Sequence, residues 1–332
     1  MPKLQPWILG SGTAGQALRM ALAMFPAEIS EPRQLDRGEP LPEPAPQRSL
    51  IVLANPHGLH APRLVEAAEL GYRYAICEKP AAVSLEQLAR LEGLRLETWI
   101  CHVYRLLWGP VELRRAWADG RFGKVMTVEG RYWQSSAARG PKAAGWKDDP
   151  ALSGPHDVLL DLATHWVDLV TYLTDEAPRR ARVRRWYGNA ASEHRDTHVH
   201  VTLEHGGTLE QGGTTSFGSV SKTVHGAGNH LEVTIVGEDA TATWSLAEPD
   251  VIVWGHGSER STQVRTKTDL PALPPPFHGM GWIGGYVSLV GDLVGHVCHG
   301  RPRQAPGLEE QTVVLRSLLT AAKSEGRGQE AR

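Results

Sequence analysis

Apolar and polar residues alternate with different periods along the chain, and each period predicts an element. Trp7-Ile8-Leu9 is a short apolar strand running into glycines, after which Ala17, Leu18, Ala21, Leu22 and Met24-Phe25 recur at helical spacing. "LIVLANP" is an apolar run closed by Asn55-Pro56, and "HAPRLVEAAELG" has the spacing of a helix closed by Gly71. "YRYAIC" predicts a strand. "SLEQLARLEG" predicts a helix with Ser84 as N-cap, Gln87 three residues on and Gly93 past its end. "ETWICHVYR" predicts one more strand. This alternation predicts a parallel doubly wound sheet over residues 1 to about 105. "EPRQLDRGEP" is a poor strand, and the four prolines from Pro40 to Pro46 fit neither a helix nor a central strand, so that segment reads as a loop or extended linker.

The pattern changes after Gly120. "GKVMTVEGRYWQ", "RARVRRWYG", "HVHVTLEHGGTLEQGGTTSF", "HLEVTIVGEDATATWSL" and "VIVWG" are strand-like and joined by glycine-rich turns, which predicts a mostly antiparallel sheet. One helix, "DVLLDLATHWVDLVTYL", interrupts the series. Two helices, "WIGGYVSLVGDLVGHVCHG" and "GLEEQTVVLRSLLTAAKS", close the chain before a polar tail that reads as frayed.

Length and composition narrow the function classes. With 332 residues the chain is expected to hold about two domains. A formal net charge of −2 gives no overall field for nucleic acid or an anionic membrane. Cys77, Cys101 and Cys298 lack metal-ligand spacing and do not suggest a disulfide framework, so a reducing, cytoplasmic setting fits. The first residues do not read as an export signal, and no stretch has the length of a membrane span.

Gly10, Gly12 and Gly15 form G-x-G-x-x-G between the first strand and helix. In that position the first glycine permits a tight turn, the second lets a pyrophosphate approach the backbone, and the third lets helix and strand pack closely. The carboxylate expected further on to bind a ribose is best matched by Asp36. Arg33 and Arg37 flank it and could hold a 2′-phosphate instead, which leaves NAD and NADP both open.

Two further features carry chemistry. Glu78-Lys79-Pro80 ends a strand at the edge where doubly wound folds bind ligands, and a lysine desolvated there is a candidate acid/base; an ordinary solvated strand end is the alternative. Asp161, His165, Asp168 and Tyr172 fall at i, i+4, i+7 and i+11, one polar stripe on an otherwise apolar helix, which predicts a wet cleft beside it.

With these residues in view, the chain resembles the Gfo/Idh/MocA oxidoreductase family, which includes glucose-fructose oxidoreductase and inositol dehydrogenase. "ILGSGTAG", the stretch from "VLANPHGLH" to "YAICEKPAAVS", "CHVYR" with "WADGRFGKV", "LLDLATHWVDL" and the last helix carry the resemblance. It implies an α/β Rossmann dinucleotide-binding domain over residues 1–120. Residues 121–332 would form an α+β substrate-binding and oligomerisation domain with a large, mostly antiparallel open sheet, its last helix packing back on the first domain. It also implies Lys79 as acid/base, His165 as proton donor or relay and Asp161 as the group orienting substrate and lysine. Cofactor contacts are implied at Gly10, Gly12, Thr13, Ala14, Gly15, Asp36, Arg37, Ala54, Asn55, Pro56, His60, Glu78 and Lys79, and substrate contacts at Tyr104 and Arg105. The chain departs from the family in "SGPHDVLLD", where glycines are usual, in Asn55-Pro56-His57 for Thr-Pro-Asn, and in the shortened second strand and helix.

The expected activity is hydride transfer between NAD or NADP and a carbinol or carbonyl carbon of a sugar, polyol or sugar derivative. Glycoside cleavage through transient oxidation and ligand sensing without turnover are the alternatives. Eleven tryptophans against four phenylalanines suggest sugar stacking, with Trp133, His278 and Trp282 as candidate substrate contacts, although core packing accounts for most tryptophans. His198 and His200 share a strand face, but no metal is expected; that open sheet face reads as a contact between subunits of a homodimer or homotetramer.

Overall fold

A computed structural model of the protein describes residues 3–36, 38–44, 48–138, 145–187, 195–206, 213–266 and 280–329. The first part comprises β1 (Gln5–Leu9), α1 (Thr13–Ala23), β2 (Arg33–Leu35), β3 (Ser49–Leu53), α2 (His60–Leu70), β4 (Tyr74–Cys77), α3 (Leu85–Ala89) and β5 (Glu97–Ile100). Its five strands are parallel in the order β2-β1-β3-β4-β5. Successive residues of each strand point to opposite faces. Ile8, Val52, Ile76 and Trp99 therefore join one core, and Leu9, Leu53, Cys77 and Ile100 another. Between β2 and β3 the described residues hold no helix; Leu41 donates its N–H to Glu66 Oε1 of α2 (3.3 Å), and Tyr72, just past α2, donates its hydroxyl to the Pro42 carbonyl (2.8 Å). β2 forms despite its polar sequence because it is an edge strand with only β1 to satisfy.

The chain continues through α4 (Trp108–Ala118), β6 (Val125–Gln134), α5 (Pro150–Ser153), α6 (Val158–Asp161) and α7 (Ala163–Thr174). Next come β7 (Arg180–Trp186), β8 (His198–His205), β9 (Thr214–Ser221), β10 (Asn229–Gly237), β11 (Thr241–Ser245), β12 (Val251–His256) and β13 (Glu259–Val264). α8 (Ile283–His299) and α9 (Leu308–Gln329) end it. The eight strands form one sheet, β13-β12-β11-β10-β6-β9-β8-β7, antiparallel except between β6 and β9. Together the two sheets are the α/β plus mostly antiparallel architecture expected from the pattern.

One packing device fixes α7 to the second sheet. Gly130 of β6 and Gly218 of β9 lie opposite each other, and the fully buried Trp166 ring fills the slot they leave. The helices at the chain end tie the parts together. α8 covers the first sheet beside α1, contributing Val287, Val290 and Leu293 to its core. α9 places Leu315 and Leu319 in the first part and Val314 and Leu318 in the second.

Several sequence expectations are corrected. "ETWICHVYR" is strand only to Ile100, after which Val103–Leu106 form a 3-10 turn. The single helix expected over 157–173 is broken at Leu162 into α6 and α7. β13 was invisible because an edge strand of exposed polar residues has no apolar alternation. The tail is helical to Gln329, stapled through Glu325, which accepts from Arg185 Nε (2.7 Å).

A Cβ on Gly130 would sit 2.2 Å from the Glu232 carbonyl oxygen and 2.6 Å from the Trp166 ring. Gly130→Ala is expected to destabilise the fold by about 1–3 kcal/mol through overpacking, measured as a lowered denaturation midpoint.

Candidate active site

The glycine loop joins β1 to α1 at the C-terminal edge of the parallel sheet. Gly10 has φ 112°, and a side chain there would strike the Ala54 carbonyl oxygen at 2.2 Å. A Cβ on Gly15 would lie 2.1 Å from the Gly10 carbonyl oxygen. Gly12, the N-cap of α1, has nothing within 4 Å of its missing side chain, and no side chain caps the helix start at Thr13 and Ala14. The loop thus leaves open space in front of unpaired N–H groups and the positive end of the helix dipole, as a diphosphate requires. Leu9 pairs with Leu35, so Asp36 follows β2 beside Gly10, whereas the Arg33 guanidinium lies over the Trp7 ring at 5.1 Å. Ala54, Asn55 and Pro56 leave β3 at the same edge. Asn55 Oδ1 is buried without a hydrogen-bond partner among the described residues, a free acceptor that a bound amide would satisfy.

Lys79 and Asp161 meet where β4 ends. Lys79 Nζ donates to the Asp161 carbonyl (2.6 Å) and to its Oδ1 (2.6 Å), and both residues are buried. The break at Leu162 makes this possible. The His165 N–H reaches back only to the Leu162 carbonyl (3.1 Å), leaving the Asp161 carbonyl to the lysine. The other carboxylate oxygen, Oδ2, accepts from Lys147 and Lys222, each at 2.7 Å, and His57 Nε2 stands 4.0 Å from Oδ1. Burial would raise the Asp161 pKa, but Lys147, Lys222, Lys79 and His57 outweigh it and hold the carboxyl well below its usual range. At the start of α6, Asp196 accepts from the Asp157 and Leu159 N–H groups, both at 2.7 Å, and so fixes the segment that carries Asp161.

His165 lies among rings: Tyr104 at 4.8 Å, His102 at 5.4 Å and Tyr132 at 5.8 Å. Its Nδ1 is buried with no hydrogen-bond partner among the described residues. Burial, with Lys79 and His102 nearby, pushes its pKa well below the ordinary histidine value, so the ring is neutral. The Tyr104 and Tyr132 hydroxyls are 2.8 Å apart and both reach Asn229.

The remaining candidates divide. Glu78 is buried at the same strand end, accepts from the Tyr286 hydroxyl (2.6 Å), and has its pKa raised by burial. Trp282 packs against Tyr286, one ring removed from Glu78. His60 is not placed as a cofactor contact: its ring is fully buried, with both nitrogens 2.8 Å from the Pro80 and Asn55 carbonyls, where it pins one loop to the other. Arg105 is turned away from the lysine, paired with Asp168 (3.0 Å) and stacked on Tyr172. The lower half of the polar stripe therefore holds the junction together rather than lining a cleft. Trp133 is on the opposite face of β6 from Tyr132, bonded to Ser219, because adjacent strand residues alternate. Arg37 and His278 lie outside the described residues. His57, Tyr132, Lys147 and Lys222 were missed. Of these, only Tyr132, one residue before Trp133, and His57, in the departure from Thr-Pro-Asn, had a local signal. Among the described residues no group of three or more His, Cys, Asp and Glu could hold a metal ion, and no helix is long and apolar enough to cross a membrane.

A parallel sheet with a glycine-rich phosphate loop, joined to a large open sheet with a lysine, an aspartate and a histidine between them, defines a two-part dinucleotide-fold protein. Residues 111–243 match the sequence profile of the GFO/IDH/MocA C-terminal domain. It is 28% identical over 128 residues to glucose-6-phosphate 3-dehydrogenase of Bacillus subtilis (strain 168), a match covering 37% of this chain and 36% of that one. The curated relatives it matches are spanned over only 36% and 56% of their lengths. Among solved structures it is similar to an inositol dehydrogenase homolog complexed with NAD+ from Azotobacter vinelandii, with a TM-score of 0.84, 17% identity and coverage of 99% of this chain and 97% of that one. A levoglucosan dehydrogenase in complex with NADH gives a TM-score of 0.79 at 21% identity, covering 97% and 98%. At these identities the structural matches establish the fold.

The buried histidines set a pH dependence. Burial holds His165 and His102 below the ordinary value, so below about pH 6.5 the unfolded chain binds protons that the native state refuses. Stability is expected to fall as pH drops from there, by about 1.4 kcal/mol per pH unit and group, until each native pKa is reached. The depressed Asp161 acts lower, its contribution being lost only as pH falls below the ordinary carboxylate range. Denaturant midpoints at pH 7.5 and 5.5 measure the slope, which His165→Phe should reduce.

Proposed function

We propose that this protein is an NAD-dependent oxidoreductase that interconverts a carbinol and a carbonyl on a sugar, polyol or sugar derivative. The observation that carries the reading is Lys79 Nζ, buried at the edge of the cofactor-type sheet and held by two oxygens of Asp161. The open space at Gly12, the uncapped start of α1 and the orphaned Asn55 Oδ1 fit a dinucleotide. Asp36 beside Gly10 fits an unphosphorylated ribose, which favours NAD over NADP. Bound NAD would supply the group that accepts the hydride from the substrate carbon.

The protein's own residues would then handle the proton. In oxidation Lys79, as the neutral amine, would take the hydroxyl proton as the C–H bond breaks and the carbonyl forms; in reduction the ammonium would return it. Asp161 holds the lysine in place from both its carbonyl and its carboxylate. His165, neutral and with an unused buried Nδ1, positions the reacting oxygen without adding a competing positive charge. Support for a sugar-like substrate comes from the named activities of the relative and the structural neighbours.

Lys79→Ala is expected to lower turnover with a sugar or polyol panel and NAD by about 10²- to 10⁴-fold while retaining cofactor binding. Wild-type rates in this variant would remove the lysine from the mechanism.

Gly12→Val tests the loop separately. Its side chain meets open space, so the free protein should melt as the wild type does, but the thermal stabilisation by added NAD should disappear.

A further inference from the structure

Three ammonium groups converge on one carboxylate, more positive charge than Asp161 can neutralise. Lys222 has a second anion, Asp157, which also pairs with Arg195 (3.1 Å), and Arg195 in turn pairs with Asp148. Lys79 and Lys147 have no carboxylate other than Asp161 within ion-pair distance among the described residues. Lys222 is sealed in, its side chain 6% exposed, whereas that of Lys147 is 45% exposed. An ammonium has three N–H donors, and Lys147 spends one on Asp161.

Lys147 is also held there by its neighbours. It sits in a 3-10 turn, Trp146–Asp148, closed by the Gly145 N–H on Asp148 Oδ2 (2.8 Å) and anchored by Arg195 on Asp148. The Trp146 ring packs edge-on against His57 at 4.8 Å, and Lys147 Nζ lies 5.5 Å from the Trp146 centroid. A half-exposed lysine could extend into water and avoid the two other ammonium groups. Here it is folded inward to a carboxylate already served by Lys79 and Lys222.

We propose that Lys147, flanked by His57 and Trp146, is a subsite for an anionic substituent, so that the sugar-like substrate carries a carboxylate or a phosphoryl group. The inference rests on the hydride-transfer reading above, since the subsite shares Asp161 with Lys79. An anion on Lys147 supplies the missing negative charge and is gripped by the ammonium donors left over. The crowding is visible in Lys147 itself. Asp161 raises its pKa, but burial and the neighbouring Lys222 and Lys79 outweigh it and the net shift is downward, which a bound anion would reverse.

The test is calorimetric titration of the full chain, saturated with NAD, with D-glucuronate, D-glucose 6-phosphate and D-glucose, alongside NADH formation. At least one anionic sugar should bind about tenfold to a hundredfold more tightly than glucose, the range of one charge-assisted hydrogen bond. Glucuronate or glucose 6-phosphate as the tighter ligand decides between carboxylate and phosphoryl. Lys147→Gln should collapse the ratio of anionic to neutral affinity, and Lys147→Arg should restore most of it. Equal affinities for anionic and neutral sugars in the wild type, no binding of either anion, or a ratio untouched by Lys147→Gln would each overturn the proposal. Anion binding that depends on Lys147 without any NADH formation would support the subsite and overturn the hydride-transfer reading instead.

Discussion

The contact on which the site depends is that of Lys79 Nζ with two oxygens of one residue, the Asp161 carbonyl and Oδ1. Neither partner is comfortable alone. A buried ammonium or a buried carboxylate without its counterpart is strongly destabilising, because the interior offers no water to replace it. The helix that carries Asp161 is accordingly interrupted at the next residue. A continuous helix would commit the Asp161 carbonyl to the N–H four residues on, and the lysine would have only the carboxylate. Asp196 offsets the irregularity by capping the first turn of α6, and Trp166, seated over Gly130 and Gly218, fixes α7 after the break.

This contact also joins the two sheets. Lys79 comes from the end of β4, and Asp161 from a helix packed on the eight-stranded sheet, 82 residues away. Around it, Tyr104, from the turn after β5, meets Tyr132 on β6 and Asn229 on β10. Tyr286 of α8 closes on Glu78. The buried pair of Arg105 and Asp168 locks the 3-10 turn against α7. The polar stripe of the helix is thus divided by position: its N-terminal end faces the lysine and its C-terminal end holds the junction.

Much of the fold was legible in the sequence because hydrophobic period reports burial directly. The inner strands β3 and β4 of the first sheet are buried, largely apolar runs, and most of the second sheet alternates. What was not legible depends on contacts between distant segments. Nothing local distinguishes Lys147 and Lys222 from surface lysines; only the fold brings both to Asp161 Oδ2. Arg105 was read as a substrate contact because its sequence neighbourhood is shared with the junction, yet the side chain follows the nearest buried carboxylate, Asp168. Trp133 was chosen for its ring and Tyr132 passed over. The alternation of a strand decides between them, and Tyr132 faces His165.

A lysine that trades protons needs a partner whose own charge stays fixed. If Asp161 depended on Lys79 alone, a lysine giving up its proton would leave a buried carboxylate without a counterion, and the carboxylate would tend to take the proton itself. Lys222 prevents this. Burial would lower its pKa, but Asp161 and Asp157 outweigh that and raise it, so Lys222 remains a cation beside the Asp161 carboxylate. His57 and His165, both kept neutral by burial, add no second titrating charge near neutral pH. Asp161 thus keeps a lasting counter-charge in Lys222, whatever the lysine at the strand edge does.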